Sequence, residues 1–430
     1  MKIILKILLI PVLLLSVGCA DEFVDTEPTA SLPGNGMYSA MQFTHAYGGY
    51  DTFITGLYAD ELTHTGSFPS FAEFGVNDPA INNVENTNYW TDHYGTIYRA
   101  NLIIGATEDE NIELSESARA RIAGQARGVR ALMYYNLVRR YGAVPLELNA
   151  YTSANDISTN PIPRSSASEV YDQIMDDVQF AVSNLPTGLS SFVFNQNAAT
   201  VLKAKLEMQM EMYPEAEATL EPLIGNYSLE GDYAGLYSGA ASSSETIFAV
   251  DFNETDGSNH AFFYLIEGRG EVAASDNLLA SFEEGDMRTS QISESAEVTK
   301  YKSAGSGNDD AYIFRYADVL LMYAEVLARQ DDPTASDYIN MVRSRAGLDD
   351  VDLNSENVVE LIAQERFVEF YAESSDRLNT ITRLGIADEV IQAKSGNVVF
   401  VAERDNLWPI PQQEIERNSA ISTEDQNPGY

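Results

Sequence analysis

The 430-residue sequence contains one cysteine, two tryptophans, four histidines, and 26 lysines and arginines against 65 aspartates and glutamates. The single cysteine, Cys19, excludes a disulfide within the chain, and an odd cysteine in an exported protein calls for another role. The shortage of cations gives a formal net charge of −39. Nucleic acid is therefore no expected partner, because binding it takes clustered Lys and Arg. Anionic membrane surfaces and polyanionic ligands are disfavoured as well, except where a local basic patch stands within a screening length. Two tryptophans, Trp90 and Trp408, are too few for a broad indole platform under a helical polysaccharide. Catalytic signatures are also missing: there is no G-x-S-x-G, no H-E-x-x-H and no Gly-Lys pair of a phosphate loop. His45, His64, His93 and His260 lack the spacing of zinc ligands, and no metal or cofactor is expected. The acidic loop from Asp251 has Asp256 where an EF-hand needs glycine and Phe262 where it needs glutamate.

Long apolar runs are scarce too. Ile7 to Val17 is apolar apart from Pro11 and Ser16, which falls short of the about 20 residues a membrane helix needs. With Lys2 and Lys6 before it and small residues after it, the run reads as a secretory signal over residues 1–18. Its cysteine has two readings. One is incidental. The other is a lipobox, Ser16-Val17-Gly18-Cys19, in which the Cys19 thiol takes lipid, although leucine is more usual where Ser16 stands. The second fits the cysteine's place at the end of the apolar run, and it tethers the mature chain to a membrane without embedding it. Residues 19–36, with Asp21, Glu22 and Asp25, form an acidic, Pro- and Gly-bearing linker.

What the chain does contain is enough apolar residue, 44% with 10% aromatic, for a large core. The periodicity is helical. Residues 115–142 carry an apolar stripe of Ile122, Ala126, Val129, Met133 and Leu137, and end at Gly142. Ser166 and Glu169 have capping-box spacing before a face of Val170, Ile174, Val178, Ala181 and Leu185. Helices follow over 197–212 and from near Pro214 to Pro222; the pairs are of tetratricopeptide length, without a clean repeat. From 225 to 310 the texture is Gly-, Ser-, Asn-, Asp- and Tyr-rich, with one strand expected at 246–252. Helix resumes at 312–330, and the chain ends in proline-rich turns. Glu365 and Glu369 share a helix face at i, i+4. A catalytic or metal pair competes there with ion pairing to Arg366 or a neighbouring helix. Ion pairing is the expectation, because a glycosidase pair must span a sugar-sized cleft.

The blocks "AGQARGVRALMYYNLVRRYGAVPL", "NAATVLKAKLEMQMEMY", "SSETIFAVDF", "FRYADVLLMYAEVLAR", "IAQERFVEFYAESSDR" and "LWPIPQQEIERN" stand in the order of the SusD/RagB family of Bacteroidetes outer-membrane lipoproteins, which the chain resembles over nearly its whole mature length. The resemblance implies a mainly α-helical SusD-like fold over 37–430, with an N-terminal part to about 225 and a C-terminal part from about 226. Tetratricopeptide-like helix pairs would carry long loops and a few short strands. It further implies a non-enzymatic, lipid-anchored protein on the outer face of the outer membrane. Such a protein captures oligo- or polysaccharide and delivers it to a SusC-like TonB-dependent transporter. Asp21, Glu22 and Asp25 resemble the surface-export signal of such lipoproteins. The segment "ESSDRLNTITRLG" departs from the family by lacking a glycine and aromatics, and the chain is short for the family, so its loops are trimmed. A surface-tethered glycoside hydrolase and a tetratricopeptide-type protein-binding scaffold remain as other function classes.

Sugar rings stack their C–H faces on aromatic side chains and offer hydroxyls to polar groups in partly dry grooves. Two stretches carry that chemistry. Phe68, Phe71, Phe74, Tyr89 and Trp90 lie in 64–90; His260, Phe262, Phe263, Tyr264 and Arg269 lie in 251–271. Trp90, Tyr94 and Tyr98 also fit the core face of a helix, and "AFFYLI" also fits a buried strand. The acidic balance makes a neutral glycan the expected ligand.

Overall fold

A computed structural model describes residues 34–151, 160–396 and 398–430. Cys19, Asp21, Glu22 and Asp25 lie outside the described residues. The 115–142 pattern shows how local chemistry sets a boundary. The Ser115 hydroxyl accepts the Ala118 amide at one end, and Gly142 takes φ 67° at the other, so the helix runs Glu116–Tyr141.

In chain order the first elements are α1 (Gly34–Met41), α2 (Tyr50–Tyr58), β1 (Leu62–His64), α3 (Pro69–Gly75), α4 (Val84–Glu108) and α5 (Glu116–Tyr141). Next come β2 (Val144–Pro145), β3 (Arg164–Ser165), α6 (Ala167–Asn184), α7 (Gln196–Gln209), α8 (Tyr213–Leu220) and α9 (Tyr233–Leu236). The middle of the chain holds β4 (Thr246–Val250), α10 (His260–Tyr264), β5 (Val272–Ala274), α11 (Asp276–Ser281) and β6 (Ala311–Arg315). The chain closes with α12 (Tyr316–Ala328), α13 (Ala335–Arg345), α14 (Val358–Phe370), α15 (Asp376–Arg383), α16 (Ala387–Gln392), α17 (Ala402–Asp405) and α18 (Gln412–Arg417). Successive helices pack on one another: α4 on α5, α5 on α6, α6 on α7, α7 on α8, and α12 on α13. The expected mainly α-helical architecture with paired helices and a few short strands is the observed one.

The strands form three two-stranded antiparallel pairs, β1–β5, β2–β3 and β4–β6. Three expectations are corrected here. Residues 312–315, read as the start of a helix, belong to β6, because Tyr312 and Phe314 pair across to Ala249 and Phe248. The last stretch, read as turns, contains α18, started by Pro411. Helix α1 begins at Gly34, inside the stretch read as linker to 36.

The capping box forms as its spacing predicts, with the Glu169 amide on Ser166 Oγ and the Ser166 amide on Glu169 Oε2. Val129, Met133 and Leu137 of α5 and Val170, Ile174 and Val178 of α6 are fully buried, each worth about 1.5–3 kcal/mol relative to exposure. Gly128 permits the closest approach on α5: a Cβ there would lie 2.2 Å from the Phe194 ring.

The C-terminal half is different inside. Arg288 reaches Glu365 at 2.6 Å and Glu369 at 3.2 Å, and Arg345 reaches Glu369 at 2.6 Å. Arg315 joins Glu369 at 3.0 Å and Glu373 at 2.7 Å, Lys300 joins Glu373 at 2.6 Å, and Arg343 joins Glu365 at 3.1 Å. The side chains of all of these groups are at most 5% exposed. Burial alone would raise the Glu369 carboxyl, but Arg345, Arg315 and Arg288 hold it far below the usual carboxylate range. The Glu365/Glu369 pair is thus neutralised by cations. The partners come from 288, 315, 343 and 345, while Arg366 turns to Asp318 and Asp376.

Candidate functional site

The two stretches picked out for sugar chemistry meet. Strand β1 pairs with β5 in the register Leu62↔Ala274, Thr63↔Ala273, His64↔Val272. Beyond the ladder the Thr65 amide donates to Glu271 O at 3.0 Å, and its hydroxyl donates to Gly270 O at 2.8 Å. The loop then folds over the buried Glu271 side chain, whose Oε1 accepts the amides of Ser67 (2.5 Å) and Phe68 (2.6 Å). Burial pushes the Glu271 carboxyl up, but those two amides and Arg269 outweigh it and leave the carboxyl below its ordinary value. Residue 66 must be glycine for this wrap: a Cβ there would stand 1.8 Å from Glu271 Oε2. Pro69, locked near helical φ, then starts α3 directly after Phe68.

Above this carboxylate sits Arg269. Its Nε lies 3.3 Å from Glu271 Oε2, its Nη2 donates to Ser67 Oγ at 3.3 Å, and its guanidinium lies 4.2 Å from the Phe68 ring centroid. The Arg269 amide donates to Phe262 O at 2.7 Å, which fixes the neighbouring aromatic. Phe68 is half-buried, Phe262 is 39% exposed and Ile266 is 66% exposed. Beneath them Phe71 and Phe263 form the support, with ring centroids 5.5 Å and 5.9 Å from Phe68, and Phe262 lies 5.3 Å from Phe263. The result is a surface formed by Phe68, Arg269 and the exposed Phe262 over a base of Phe71 and Phe263. Aromatic rings and a fan of guanidinium donors suit a ligand with apolar faces and hydroxyl rims.

Of the ten aromatic, histidine and arginine candidates, the platform brings together Phe68, Phe262 and Arg269. The other seven are corrected to buried positions. Phe71 and Phe263 support the platform. Phe74 packs on Trp408 at 4.9 Å, and Tyr89 stacks on His93 at 4.1 Å. His260 stacks on Tyr301 at 4.3 Å, and burial pushes its imidazole pKa down to about 3. Tyr264 is fully buried, and its hydroxyl has no hydrogen-bond partner among the described residues. Trp90 packs edge-on against Tyr141 at 4.9 Å, as the i, i+4 spacing allowed. "AFFYLI" is neither strand nor open loop: His260–Tyr264 is a short helix that turns Phe262 outward and Phe263 inward. Glu271, Ser67, Gly66 and Ile266 went unnoticed in the sequence. Glu271 in "GRGE" gives no signal of its own, because the amides it holds lie some 200 positions earlier, at a separation of 204 for Ser67.

A family model described as "SusD family" matches residues 272–430, and one described as "Starch-binding associating with outer membrane" matches residues 40–208. The chain belongs to the SusD family. A SusD-like protein of Formosa agariphila, P2, is 26% identical, and the match covers 99% of each chain. A SusD superfamily protein of Bacteroides fragilis superposes with a TM-score of 0.80 at 25% identity, covering 93% of this chain and 99% of that one. Surface glycan-binding protein A of Bacteroides thetaiotaomicron, solved in complex with laminarihexaose, has the same fold. Its TM-score is 0.78 at 18% identity, with 92% and 98% covered. The two SusD-family matches leave out residues 209–271, which supply Phe262, Ile266, Arg269 and Glu271. One strand and loop of the platform therefore lie within a family match, and the facing loop lies outside both.

Proposed function

We propose that this chain is a cell-surface glycan-binding protein that captures a neutral oligo- or polysaccharide on the Phe68–Arg269 platform. It then delivers the ligand to a SusC-like TonB-dependent transporter in the outer membrane. The observation that carries the reading is the convergence of two distant loops on one exposed aromatic and guanidinium surface, pinned by Glu271. The family match described as "Starch-binding associating with outer membrane" supports it, as does the laminarihexaose complex of a protein of the same fold. The net charge of −39 favours a neutral ligand over an anionic one. Lipid on Cys19 would hold the protein at the membrane, and Asp21, Glu22 and Asp25 would direct it outward.

Calorimetric titration with laminarihexaose, maltohexaose and alginate oligomers tests the reading. Binding of a neutral glycan that falls at least about tenfold in Phe68→Ala and Arg269→Ala is the expected result, equal to about 1.4 kcal/mol. Selective binding of alginate, or affinity unaltered in both variants, would overturn it. Co-purification of the protein with a TonB-dependent transporter from outer membranes tests the delivery step, and its absence would remove that step.

A further inference from the structure

Trp90, buried on its inner side by Tyr141, keeps 5% of its surface, and that remnant lines an open groove of about 470 Å³. The groove runs between the first half of α4, the Pro145–Glu147 segment and α18, and shares no lining residue with the Phe68 platform. Tyr94 lies beside Trp90, with centroids 5.0 Å apart and planes 38° apart, and its hydroxyl donates to Pro145 O at 2.8 Å. That bond fixes the tyrosine ring where it lines the groove. The walls are polar and of both signs: Glu147, Gln413, Glu414 and Arg417. Glu147 is held by the Asn149 amide at 2.8 Å, and Glu414 by Asn418 Nδ2 at 2.9 Å.

We infer that this groove is a second saccharide-binding site, which takes a neutral sugar ring against Tyr94 and the small exposed remnant of Trp90, with its hydroxyls on the carboxylate, amide and guanidinium walls. The volume falls within the about 300–1,000 Å³ typical of small-molecule sites. Two adjacent aromatic side chains suit the C–H face of a pyranose. Donors and acceptors together suit hydroxyls, which are both. Two carboxylates in the walls select against an anionic sugar. The inference rests on the glycan-binding reading but places a site on a different face from the platform.

Both tryptophans emit from largely buried positions, but Trp90 lines the groove and Trp408 does not, so a change in emission on binding at the groove arises at Trp90, while the platform has no tryptophan. The experiment titrates the protein with laminarihexaose and with maltohexaose, following emission and calorimetric stoichiometry together. Thr91→Arg, at an exposed position on the groove rim, blocks the groove; Phe68→Ala removes the platform. The expected result is an emission change that persists in Phe68→Ala and weakens at least about tenfold in Thr91→Arg, which melts as the wild type does. Emission unaltered by a glycan that binds with one-site heat, itself lost in Phe68→Ala, overturns the second site and leaves the platform standing. Heat and emission insensitive to Thr91→Arg also overturn it. Silence with both glycans in all three proteins removes the second site and the glycan reading together.

Discussion

Between Val84 and Gln209, helices α4 to α7 meet through apolar residues such as Val129, Met133, Leu137, Ile174 and Val178, with the Arg130–Asp177 pair at 2.8 Å as a buried ionic tie. Between Glu245 and Glu373, the interior instead holds Arg288, Arg315, Arg343, Arg345 and Lys300 against Glu245, Glu365, Glu369 and Glu373. Apolar packing loses stability in proportion to what is removed. A buried ionic network does not: each ion has paid its desolvation, so removing one partner strands the others. The first half is therefore held by many small, graded contributions. The second is held by few groups whose effects are coupled.

Substitutions separate the two regimes. Glu369→Ala should have the largest effect, about 3–5 kcal/mol lost in urea unfolding, because Arg315, Arg345 and Arg288 all lose an acceptor. A loss under about 1 kcal/mol would show that the cations re-pair freely and dissolve the contrast. Ile174→Val in α6 removes one methylene at a fully buried position and should cost about 0.5–1.5 kcal/mol. Ser166→Ala removes the cap and should cost about 1 kcal/mol by the same measurement. Glu369→Ala combined with Arg315→Ala should show strong non-additivity, whereas Ile174→Val with Ser166→Ala should add, which sharpens the distinction.

The pH dependence separates buried carboxyls with cation partners from those without. Burial lifts the Asp51 carboxyl to about 7 and the Glu61 carboxyl to about 8. Both bind their proton more tightly in the folded chain than in the unfolded one, where carboxylates titrate near 4. Their contribution is complete below about pH 4 and is lost as pH rises through 7 and 8. Glu369 runs the other way: held low, it contributes above about pH 4 and loses that contribution as pH falls through its folded value. Asp51→Asn should flatten the decline of Tm between pH 5 and 8; an unchanged slope would assign the decline elsewhere. Arg269→Ala, on the exposed platform, should change stability by less than about 0.5 kcal/mol while weakening glycan binding.

The helix hairpins were legible because their signals are local. Ser115 and Gly142 bound one helix, and Ser166 with Glu169 starts another, within a few residues of sequence. Strand β6 was read as helix because Tyr312 and Phe314 owe their conformation to β4, more than sixty positions earlier. The candidate surface divides in the same way. Phe68, Phe262 and Arg269 were singled out by residue type, and they share one face. Phe71, Phe74 and Phe263 carry the same chemistry in similar sequence but point inward, and helical turns at Pro69–Gly75 and His260–Tyr264 decide which ring faces which way. Glu271, which pins the loops, was invisible because its partners are backbone amides of a remote segment.

The β1–β5 pairing also sets an order of events. A chain synthesised from its N-terminus carries Phe68 early, but Glu271 and Arg269 arrive some 200 residues later. Until Val272 to Ala274 lie along β1, the loop after His64 has no carboxylate to fold over and Phe68 has no Phe263 beneath it. The platform thus comes into being late, closing a long loop as one of the slower steps of folding. A partly folded chain lacks the assembled surface, and acquires it only when its two distant segments have joined.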